Sequence, residues 1–83
     1  MPRYLVERTF SGRCEMRDDA MSAAHRSAGI AWLQSFVSAD GARSYCIVES
    51  PTPEAIRLAA RAGCLPVDRI TEVRALRPRG DLP

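Results

Sequence analysis

Arg43-Ser44-Tyr45-Cys46-Ile47-Val48-Glu49 leads through Ser50-Pro51-Thr52-Pro53-Glu54-Ala55-Ile56-Arg57 and on to Gly63-Cys64-Leu65-Pro66-Val67-Asp68-Arg69-Ile70-Thr71-Glu72-Val73. This stretch sets half the fold. Branched and aromatic residues over Arg43 to Glu49 predict a strand. Thr52 is placed to cap a helix, and Pro53 falls at the first helical position, where its missing N–H costs nothing. Ala55, Ile56, Ala59 and Ala60 form one apolar stripe at helical spacing. Gly63 ends that helix and Pro66 prevents its continuation, so a last strand is expected over about Arg69 to Leu76.

Working towards the N-terminus, Ala39-Asp40-Gly41-Ala42 holds an Asp-Gly pair of the kind tight hairpins use, because glycine accepts positive φ. It predicts that Ile30 to Ser38 is a strand paired antiparallel with Arg43 to Glu49. Arg3 to Phe10 alternates, with Tyr4, Val6, Arg8 and Phe10 on one face and Leu5, Glu7 and Thr9 on the other. Ser11 to Arg17 is a polar connection. Asp18 or Asp19 can cap a helix that runs to about Ala28, with Met21, Ala24 and Ala28 as its apolar stripe and Gly29 as its stop.

The order is therefore β-α-β-β-α-β, an α+β ferredoxin-like split β-α-β pattern with two helices on one face of a four-stranded antiparallel sheet. A single domain over residues 1–83 is expected, with a frayed tail at 78–83 and strand order 4-1-3-2. Strands with apolar residues on both sides need cover on the helix-free face as well. A homodimer joined sheet to sheet supplies it, and it offsets the marginal core of an 83-residue chain.

All twelve basic residues are arginine, which excludes Schiff-base and Walker-type lysine chemistry. A net charge of +2, with the arginines scattered among ten carboxylates, gives no nucleic-acid footprint. Arg74, Arg77 and Arg79 read as a solvated tail. No apolar run approaches the roughly 20 residues of a membrane helix, and the chain opens on a strand pattern instead of a signal peptide. The expectation is a cytoplasmic protein with no membrane partner. Cys14, Cys46 and Cys64 form no CxxC pair and are expected as reduced thiols.

His25 is the only histidine. Asp18, Ser22 and His25 fall at i, i+4 and i+7, on one face of the expected helix, with Met21 beside them. Such oxygen and nitrogen donors suit a borderline ion such as nickel; the competing reading is a solvated histidine on an alanine-rich helix. Cys46, inside a strand, is expected as a small core filler, and as a metal-ligating thiolate only if it is deprotonated by nearby positive charge, from Arg8 or Arg43, or by the metal itself. The expected strand order also brings Arg8 and Glu49 onto neighbouring central strands, with Tyr45 on the face of Glu49 and Trp32 or Gln34 arriving from the edge. Convergence of Arg8, Trp32, Tyr45, Cys46 and Glu49 would make either a small-ligand pocket or an ion pair and aromatic packing in a dimer interface. No nucleophile elbow, Gly-rich phosphate loop or histidine pairing is present, so catalysis is not the leading reading, while a pocket enzyme and a ligand-free interaction domain stay open.

Several runs carry a resemblance: Pro2-Arg3-Tyr4-Leu5-Val6-Glu7-Arg8-Thr9-Phe10, Trp32-Leu33-Gln34-Ser35-Phe36-Val37-Ser38, and the stretch from Tyr45 to Val73. Over roughly residues 2 to 78 the chain resembles a family of small bacterial proteins, catalogued as a domain of unknown function and often labelled nickel-binding. That resemblance implies a dimeric ferredoxin-like fold. It also implies nickel held at the dimer surface by exposed histidine and carboxylate donors, and sequestration or buffering as the function. Gln34 stands where relatives often place a second histidine.

Overall fold

Alternating side chains set β1, Arg3–Thr9, in the interior of a four-stranded antiparallel sheet. The architecture is that of a computed structural model, in which residues 1–11, 26, 28–63 and 65–76 are described. β2 spans Ala31–Val37, β3 Arg43–Glu49 and β4 Arg69–Val73, in the order β2-β3-β1-β4. This is the order expected from the sequence. β3 starts and stops where its residues predict, whereas β1 is one residue shorter at its C-terminal end and β2 one residue shorter at each end, although Phe10 and Ser38 still donate to the carbonyls of Ala42 and Arg43. β4 stops at Val73 instead of Leu76, because Val73 pairs with Arg3, the first residue of β1, and no strand lies beyond it to pair with.

The β2–β3 turn is held by its own side chains. Asp40 Oδ1 accepts from the Ser38 hydroxyl at 2.6 Å and from the Ala42 N–H at 2.9 Å, while the Ser38 hydroxyl accepts from the Arg43 N–H at 3.0 Å. Gly41 takes φ +74°, a conformation that disfavours any side chain, as the Asp-Gly pair predicts. The carboxyl of Asp40 is held below its ordinary value by the Ser38 hydroxyl first and by the Ala42 N–H next, with Arg43 adding a smaller attraction.

α1, Pro53–Ala62, also follows its local signals. The Thr52 hydroxyl accepts from the Ala55 N–H at 3.1 Å, Pro53 opens the helix, and Glu54 and Arg61 complement the two ends of its dipole. At the far end the N–H groups of Gly63 and Leu65 donate to the carbonyls of Ala59 and Ala60, at 3.1 and 2.8 Å. Ile56, Ala59 and Ala60 are the buried residues of this helix, and Ile56 and Ala59 pack with Tyr4, Val6, Ile30, Cys46 and Val48. Burying Ile56 completely contributes about 1.5–3 kcal/mol. Desolvation raises the Tyr4 phenol above its ordinary value, with the carboxylates Glu72 and Glu54 adding to the effect.

Of the two expected helices, α1 is described. Arg26 is helical and its carbonyl accepts from the N–H of Gly29, which has φ +72°, and Ala28 packs against the core. The remainder of the helix read from Asp18 to Ala28 lies outside the described residues, as do Cys14, Cys64 and the tail at 78–83. Among the described residues no helix is long and apolar enough to cross a membrane.

Candidate functional site

Pairing register, not proximity in sequence, decides which side chains share a face of this sheet. Arg8 lies opposite Ser44 and Val6 opposite Cys46, so Arg8, Ser44 and Cys46 project to the face covered by α1. A bulge between Trp32 and Gln34 then inserts one extra residue in β2. Trp32 lies opposite Val48 and Ser35 opposite Cys46, so both project to that same face despite their odd separation. Without the bulge, alternation would send one of them to the opposite side.

The result is a buried polar chain. The Trp32 indole N–H donates to the Ser35 hydroxyl, which donates to Cys46 Sγ at 3.0 Å, and Arg8 Nη1 donates to the same sulfur at 3.3 Å. Cys46 has no exposed surface and Arg8 only 1%. Ser44, also fully buried, has a hydroxyl with no hydrogen-bond partner. Desolvating a guanidinium is costly, so its contact with a polarizable sulfur has structural weight. The arrangement fixes the thiol and the indole in place and leaves no path for a reagent. It does not suit a cation: a guanidinium 3.3 Å from the sulfur repels a second positive charge. Cys46 is thus a core residue, as expected, with a polar anchorage that strand propensity alone does not reveal.

The expected convergence of Arg8, Trp32, Tyr45, Cys46 and Glu49 is not what the register produces. Tyr45 and Glu49 share the helix-free face with Ile47, whereas Arg8, Trp32 and Cys46 lie on the other side of the sheet. Glu49 pairs instead with Arg3, whose Nε lies 3.3 Å from its carboxylate. A pocket formed by all five residues has no geometry here.

Three cross-strand rows of four residues, with the Thr9–Arg43 pair beyond them, make up the helix-free face. Gln34, Ile47, Leu5 and Thr71 form the central row, Phe36, Tyr45, Glu7 and Arg69 a second, and Ala31, Glu49, Arg3 and Val73 a third. Phe36 is 55% exposed, while Leu5, Tyr45, Ile47 and Val73 are half-buried with no layer of described residues packed over them.

Asp18, Ser22 and His25 lie outside the described residues. Among the described residues no group of three or more His, Cys, Asp or Glu side chains is placed to hold a metal ion. Gln34 is exposed on the helix-free face and brings no imidazole.

A family model described as "Nickel responsive protein SCO4226-like" matches residues 4–73. The crystal structure of SCO4226 from Streptomyces coelicolor A3(2) resembles this chain with a TM-score of 0.72 and 18% identity, over 90% of this chain and 99% of that one. At that identity the likeness speaks for the fold alone. No curated protein matches the chain.

Proposed function

The chain belongs to the nickel responsive SCO4226-like family, and from that premise we propose that it is a divalent transition-metal-binding protein, with nickel as its ion, acting in the cytoplasm as a homodimer of ferredoxin-like subunits. The observation that carries this reading is the family match across residues 4–73, whose description names a response to nickel. Metal sequestration or buffering follows as the activity, without a chemical step.

The dimer half of the proposal rests on the helix-free face. Leu5, Ile47, Tyr45, Phe36 and Val73 give it an apolar centre, and the Arg3–Glu49 pair and Arg69 give it a charged margin, as in specific interfaces. Two such faces brought together cover the second side of each sheet. Read from the sequence as a helix, Asp18 to Ala28 carries Asp18, Ser22 and His25 on one polar face. Asp18, Ser22 and His25 are the proposed ligands on that face, with solvent or a second subunit completing the coordination.

Isothermal titration of tag-free protein with nickel, cobalt, copper and zinc tests the reading. Saturable nickel binding that weakens at least tenfold in His25→Ala, with the fold intact, supports it. Absence of binding to all four ions removes the metal from the account, and unchanged affinity in His25→Ala moves the site elsewhere.

A further inference from the structure

The connection from α1 to β4 folds back along the helix and leaves an open cavity of about 230 Å³ lined by Arg57, Ala60, Arg61, Leu65 and Val67. Its floor is apolar: Ala60 is buried, and Leu65 and Val67 are half-buried and rest against the core. Its rim is cationic. Arg57 and Arg61 stand one helical turn apart, both exposed, and among the described residues no carboxylate lines the cavity.

Among the described residues, nearby acids do not neutralise them. Glu54 precedes Arg57 by three residues without forming an ion pair, and Asp68 accepts from the Thr9 hydroxyl. The negative end of the α1 dipole lies close by, but the Ala59 and Ala60 carbonyls there are already occupied by the N–H groups of Gly63 and Leu65.

We propose that this groove is a binding site for a small amphipathic carboxylate, its acid group bridging Arg57 and Arg61 and its short apolar tail lying on Ala60, Leu65 and Val67. Both halves of the ligand follow from charge and surface complementarity. Two guanidinium forks match a carboxylate, and the apolar floor rewards a tail that a bare anion lacks. The volume is below the usual range for drug-sized ligands, which limits the tail to a short chain. The groove shares no residue with the proposed metal ligands or with the helix-free sheet face.

Titration of the isotope-labelled full chain with sodium hexanoate, followed by amide NMR, tests it. Shifts at Arg57, Ala60, Arg61, Leu65 and Val67 are expected to saturate with a dissociation constant on the order of 1 mM. Acetate and hexanol, which carry the charge or the tail alone, are expected to bind about tenfold more weakly. Arg57→Gln and Arg61→Gln, at exposed positions that leave the core untouched, are each expected to weaken hexanoate about tenfold with an unchanged melting temperature. Shifts that stay linear, equal responses to acetate and hexanoate, or unaltered affinity in both variants would overturn the proposal and leave non-specific charge attraction only.

Discussion

Ile47→Asp separates a sheet face that is an interface from one that stays wet. Ile47 sits in the central row of the helix-free face, beside Leu5 on β1 and Gln34 on β2. In an isolated subunit the change costs about 1 kcal/mol, since the position is only half-buried and aspartate is a poor strand former. In a face-to-face dimer it removes about 1.5–3 kcal/mol of apolar burial and places a carboxylate without a partner between the sheets, at a few kcal/mol more. A two-fold interface holds both copies of the substitution, so the penalty counts twice. The combined loss is about 7 kcal/mol or more, on the order of a hundred-thousandfold in the dimer dissociation constant. Sedimentation velocity near 10 µM should show twice the chain mass for the parent and the chain mass for Ile47→Asp, with its circular dichroism spectrum retained. A folded variant that sediments as the parent dimer does would place the interface on another surface.

Other outcomes follow from the buried polar chain and the hairpin turn. Cys46, fully buried, should alkylate at least a hundredfold more slowly in the native protein than in the unfolded chain, with or without nickel, and Cys46→Asp should destabilise by about 3 kcal/mol or more; rapid labelling suppressed by nickel would make it a ligand instead. Ser35→Ala removes both the acceptor of the Trp32 indole and a donor to Cys46, which should cost about 1–3 kcal/mol in denaturant unfolding and shift the emission of the chain's one tryptophan; an unchanged spectrum would remove the indole from this network. Asp40 has a folded-state value below its ordinary one, so its support of the turn is complete above about pH 3.9 and is lost as pH falls through the lower folded value. Amide exchange at Ala42 and Arg43 should rise in that acid window and should already be raised at neutral pH in Asp40→Ala; exchange independent of both would detach the carboxylate from the turn.

The parts of the fold legible in the sequence are those governed by contacts a few residues apart. The Thr52 cap, Pro53 at the helix start, Gly63 at its end and the Asp40-Gly41 turn each act through a neighbour within four residues, and each stands where the sequence places it. Strand parity was legible too, within one strand: Tyr4, Val6 and Arg8 do share a face. What a single sequence does not encode locally is the parity of one strand relative to another. Because Arg8 meets Ser44 and not Tyr45, it joins the face of Cys46 and leaves Glu49 on the far side. The bulge in β2 was hidden for a related reason, since an extra residue in an edge strand has no requirement for glycine or proline and left no mark at Leu33. Ser35 and Ser44 were missed because small hydroxyl residues in strands carry no signal of their own. For Ser44 the one available clue was the run Ser44, Cys46, Val48, Ser50, small residues at alternate positions that are all buried on one face.

Native mass spectrometry of the tag-free chain, with and without an excess of nickel, tests the proposal of a metal-binding homodimer most directly, because mass reports subunit number and bound ions together. The account predicts a species at twice the chain mass that retains nickel after exchange into volatile buffer, and a His25→Ala species that keeps the dimer mass while losing the metal. A monomer that carries no nickel under the same conditions would contradict both halves of the account.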